Sequence, residues 1–63
     1  MELKFYISQY MDGNLCIENK HMHYHFKDGF GFDDFSKEDL LYRMAEIQEH
    51  CESENITPIF IVV

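Results

Sequence analysis

The chain reads as a small α+β domain of order β-β-β-α-β, a four-stranded, mostly antiparallel sheet with one helix packed on one face. Three observations predict it. Apolar residues alternate with period two through most of the first 27 positions, a capped amphipathic helix signal begins at Ser36, and residues 59–63 form an unbroken β-branched and aromatic run. With 63 residues, the chain makes one domain, 1–63, and a small core.

Leu3, Phe5 and Ile7 alternate with Lys4, Tyr6 and Ser8, the pattern of a half-buried strand that runs to about Tyr10 or Met11. Asp12-Gly13-Asn14 breaks it with residues that tolerate positive φ. A three-residue loop there pairs Met11 with Leu15 and keeps the odd-numbered apolar residues of both strands on one face. A two-residue turn would set Ile7 opposite Glu18.

After Leu15 and Ile17 the apolar residues change parity to Met22, Tyr24 and Phe26. A tight turn at Asn19-Lys20 accounts for the change and predicts a third strand over 21–26. In that register Cys16 faces His23 and Glu18 faces His21. Met22, Tyr24 and Phe26 look into the core, while His21, His23 and His25 line the opposite face.

Residues 27–35 read as a loop, with Gly29 and Gly31 among three phenylalanines. Its aspartates do not follow the spacing of an EF-hand. Ser36 then caps a helix, accepting from the backbone at Asp39, with Phe35 stapled on Leu40. Leu40, Met44, Ile47 and Cys51 form a single apolar stripe at i, i+4, i+7 and i+11, flanked by Leu41 and Gln48. The helix should end between Glu52 and Asn55, because Thr57-Pro58 blocks its continuation. A right-handed crossover would lay the last strand beside and parallel to the first, giving the order 3-2-1-4. That strand is then an uncharged edge, which predicts a homodimer through 59–63 or a partner that adds a strand.

The net charge of −7 is uneven. Residues 1–27 are balanced, whereas from Asp28 onward nine carboxylates face only Lys37 and Arg43. This argues against direct binding of nucleic acid, which needs clustered Lys and Arg, and fits a protein partner with a basic surface. Two cysteines, no apolar run of membrane-spanning length and an N-terminus without signal-peptide layout predict a reduced, soluble, cytoplasmic protein with no membrane partner.

Three groups of residues invite chemistry. Cys16, His21, His23 and His25 supply ligand types for zinc, or equally form a solvated strand face. Glu38, Asp39, Glu46, Glu49 and Glu52 surround Tyr42 on the side of the helix opposite the apolar stripe. Cys16 opposite His23 resembles a thiol–imidazole pair, but no third orienting residue and no nucleophile motif accompany it, so no enzyme is expected. Cys51 sits on the apolar stripe, as a small core residue would. The sequence therefore points to a small acidic protein-interaction module without a cofactor, an inhibitor or adaptor that binds a basic partner through its acidic helix or sheet edge. In the extreme case the helix imitates the phosphates of nucleic acid. The alternative is a zinc- or pH-responsive module that uses the His21/His23/His25 face.

Overall fold

In the computed structural model, which describes residues 1–22, 24–29 and 31–63, the first alternation becomes β1, Glu2–Gln9. Leu3, Phe5 and Ile7 are buried, and Glu2, Lys4 and Tyr6 point to the other side of the sheet. The second strand, β2, is Leu15–Glu18, antiparallel to β1 with Ile7 opposite Ile17 and Gln9 opposite Leu15.

The connection thus spans residues 10–14, longer than either turn expected, and Met11 is fully exposed rather than paired with Leu15. Tyr10 N–H donates to the Asn14 carbonyl (2.8 Å), Gly13 N–H to the Tyr10 carbonyl (3.0 Å) and Asn14 N–H to Asp12 Oδ1 (2.9 Å). Gly13 takes φ +93° to close the loop. Because the longer loop also has an odd number of residues, the odd-numbered side chains of both strands still share the core face.

The expected third strand does not form. None of the described residues in 21–26 belongs to a strand, and the sheet has three strands rather than four, in the mixed order β2-β1-β3. Two sets of hydrogen bonds explain the difference. Asn19 Oδ1 accepts from the N–H groups of His21 (2.8 Å) and Met22 (2.7 Å), while its Nδ2 donates to the Lys4 carbonyl (2.8 Å). The backbone leaving β2 is therefore capped by a side chain. The free edge of β2 is taken instead by residues 32–35: Leu15 and Phe35 exchange N–H···O bonds of 2.8 and 2.9 Å, and Ile17 N–H donates to the Phe32 carbonyl (3.0 Å). Phe26 is nonetheless buried, and Met22 and Tyr24 pack against the core without strand pairing.

Ser36 caps the helical segment, but its Oγ accepts from Glu38 N–H (3.3 Å) instead of Asp39. A 3-10 turn, Lys37–Asp39, leads into α1, Leu40–Ser53. Asn55 ends it in the left-handed region at φ +59°. Ile56 N–H then donates to the Cys51 carbonyl (2.8 Å) and Asn55 N–H to the Glu52 carbonyl (3.2 Å), the paired bonds of a Schellman cap. The last strand, β3 (Thr57–Val62), lies parallel to β1 with Phe5 beside Phe60.

Leu3, Phe5, Ile7, Leu15 and Ile17 from the sheet meet Ile47 and Cys51 from the helix, with Phe26 and Phe35 closing the core from the connecting segment. Aromatic rings run through it. Phe5 lies 5.5 Å from Phe60 and 6.1 Å edge-on from Phe32, which is 5.6 Å from Phe26. Each of these side chains contributes about 1.5–3 kcal/mol when fully buried, so a core this small relies on every one.

Candidate interaction surface on the helix

The inward side of α1 is not uniformly apolar. Arg43 and Glu46 are 4% and 6% exposed, as buried as the core beside them. Arg43 lies three residues past Leu40 and four before Ile47, so it falls within the apolar stripe rather than beside it. Its guanidinium sits 4.6 Å from the Phe26 ring centre and 5.7 Å from that of Phe35. Nη1 reaches Asp28 Oδ2 at 2.7 Å, and Nη2 stands 3.9 Å from Asp39 Oδ2, so the i,i+4 contact within the helical segment is the looser of the two.

Glu46 corrects the expected acidic face. It turns away from solvent and accepts from the Tyr24 hydroxyl (2.8 Å) and from Lys27 N–H (3.0 Å), both at Oε2. Burial alone would raise its pKa, but bonds from Tyr24, Lys27 N–H and Tyr42 outweigh it and hold the carboxyl below its ordinary value. The same bond pushes the Tyr24 phenol up to about 12. The Tyr24 ring also lies 4.6 Å from that of His50, so His50 meets the segment after β2 rather than pairing with Glu46 as sequence spacing suggests.

The other carboxylates of the expected face remain outside. Glu38, Asp39, Glu49 and Glu52 are exposed, Glu52 accepting from Gln48 Nε2 (2.9 Å), and Glu54 occupies the C-cap. Among them stand Tyr42 at 53% exposure and Leu41 at 78%. A hydrogen bond to the Glu46 carboxylate, with its charge, raises the Tyr42 pKa. Tyr42, Ala45, Glu49 and Glu52 follow one another at i, i+3, i+7 and i+10, an outward stripe of α1 with Leu41 at its side and Glu38 in the 3-10 turn before it. The sequence identified the carboxylates and Tyr42. It placed Leu41 at the flank of the apolar stripe, whereas the side chain is exposed.

The described residues considered as zinc ligands form no group of three. Cys16 is buried opposite Ser8, with Sγ 3.0 Å from Ser8 Oγ. Tyr10 stands near it, and interaction with the Cys16 thiol, ahead of burial and the Asp33 and Asp34 carboxylates, pushes the Tyr10 phenol up to about 12. His21 and His25 are exposed, and His23 lies outside the described residues. Among the described residues no three His, Cys, Asp or Glu side chains gather as a metal site. Both cysteines are free thiols, Cys51 in the core and Cys16 on the other side of the sheet. No helix of the described residues is long and apolar enough to cross a membrane. Comparison with protein-family models, curated proteins and solved structures finds no match for the chain.

Proposed function

We propose that the protein is a small interaction module, a binder rather than a catalyst, that docks the outer face of α1 on a basic surface of a protein partner. The observation that carries this reading is the exposed pair Leu41 and Tyr42, set among Glu38, Glu49 and Glu52. Apolar and aromatic side chains ringed by charge suit a protein-binding surface, and tyrosine is a frequent energetic anchor there. The charge pattern supports the same reading. Glu49, Glu52 and Glu54 crowd the C-terminal end of the helix, where the macrodipole favours cations, and the only basic residue in that last turn is His50, which stacks on Tyr24. Lysines or arginines of a partner would supply the missing charge. A partner whose surface is patterned for nucleic acid fits such a ridge, which includes inhibition by nucleic-acid mimicry.

The test begins with a photo-crosslinking amino acid in place of Tyr42 in native cells, and in place of Tyr6 on the opposite side of the sheet as the control. Capture at position 42 alone, of a protein with a basic surface, is expected. The captured protein, purified, should bind the Glu38→Lys/Glu49→Lys/Glu52→Lys variant at least about tenfold more weakly than the wild type. Equal affinities would overturn the assignment.

A further inference from the structure

We propose that the free edge of β3 pairs with the same edge of a second copy of this chain, joining two three-stranded sheets into one continuous sheet. The inference is independent of the helix reading. Thr57 N–H donates to the Met1 carbonyl (2.8 Å) and Val63 N–H to the Ile7 carbonyl (2.9 Å), which fixes the odd-numbered residues as those bonded to β1. In a parallel ladder the alternate residues then turn outward, so Phe60 and Val62 present unpaired N–H and C=O groups at the edge. Pro58 is also in the outward set, the one arrangement in which its missing N–H costs β1 nothing.

Apart from Pro58, this edge lacks the usual defences against pairing: it has no charged side chain from Thr57 onward, and Val62 and Val63 are 76% and 73% exposed. It is also self-complementary. With Ile61 of each copy on a two-fold axis, Phe60 of one chain meets Val62 of the other, and each pair exchanges both N–H···O bonds. Ile59 then opposes Val63, so every cross-strand pair is apolar. Sliding the register by two residues would put Val62 against Pro58, which has no N–H to give.

Charge selects the same meeting point. Each copy carries −7, yet no carboxylate lies on β3, so two copies can join there without directly opposed acids. The axis is perpendicular to the sheet and keeps both helices on one face. α1 rises about 21 Å and β3 about 20 Å, and the short link through Asn55 makes them antiparallel. The N-terminal end of α1 therefore lies towards the exposed Val62 end of β3.

Sedimentation velocity of the purified chain at micromolar concentration tests this, with no other protein present. The expected mass is twice the single-chain 7.6 kDa, and association tightens as salt screens the two acidic copies. Val62→Pro removes an outward donor without touching the β1 ladder, and should weaken dimerisation about tenfold or more with unchanged circular dichroism. Should that variant fold poorly, Ile61→Lys, which places like charges together on the axis, should give the same loss. A single-chain mass for the wild type, or dimers that persist in the well-folded variant, would overturn the proposal.

Discussion

The Tyr24 hydroxyl donates to Glu46 Oε2 over 2.8 Å, tying the segment after β2 to the middle of α1 across 22 residues of sequence. Lys27 N–H donates to the same oxygen, so one buried carboxylate fastens this segment to the helix at two points.

Glu46→Ala leaves the Tyr24 hydroxyl and Lys27 N–H without their acceptor and should cost about 1–3 kcal/mol in urea denaturation at neutral pH. Because the folded carboxyl is held below its ordinary value of 4.5, its contribution is present above that value and lost as pH falls through the depressed folded pKa. Glu46→Gln should therefore flatten the acid limb of the stability profile below about pH 4.5. An unaltered acid limb would show that Glu46 has the same affinity for protons in the folded and unfolded chains.

Arg43 is expected to be the second fastening of this segment. Its guanidinium covers the Phe26 ring and reaches Asp28, so Arg43→Ala removes packing and charge together and should cost about 1.5–3 kcal/mol. Arg43→Lys should recover little of it, since a point charge cannot stack on Phe26 and fork towards Asp28 at once. Chemical denaturation of both variants checks the order.

At the end of the helix, Asn55 adopts φ +59°, a conformation that costs a β-carbon about 1–2 kcal/mol. Asn55→Gly should raise the melting temperature slightly. Asn55→Val should lower it by several degrees, because a branched side chain opposes the Schellman cap.

How much of this was legible in the sequence depended on whether a signal was local. Ser36, the Leu40 to Cys51 stripe and the run after Pro58 each carry their information within a few residues, and α1 and the parallel β1–β3 pair form as those signals indicate, although β3 begins two residues earlier than expected, at Thr57, and ends at Val62. The failure at 21–26 was of another kind. Alternation reports which side chains face the core, and Met22, Tyr24 and Phe26 do pack there. It does not report which backbone supplies the hydrogen bonds. Residues 32–35 took those of β2 while Asn19 took the N–H groups of His21 and Met22, a competition between segments that no single window contains. Glu46 left the acidic face for the same reason, since its partner Tyr24 is distant in sequence. Arg43 was readable in principle, because it occupies the i+3 position of the apolar stripe.

The proposed binding of a basic protein by the charge and Tyr42 on the outer face of α1 is tested most directly by the dependence of that affinity on salt. Titrating the crosslinked partner against the wild type and the Glu38→Lys/Glu49→Lys/Glu52→Lys variant over increasing ionic strength should give steep weakening for the wild type and little or none for the variant. Wild-type affinity that does not respond to salt, or the same response in both proteins, would contradict the account.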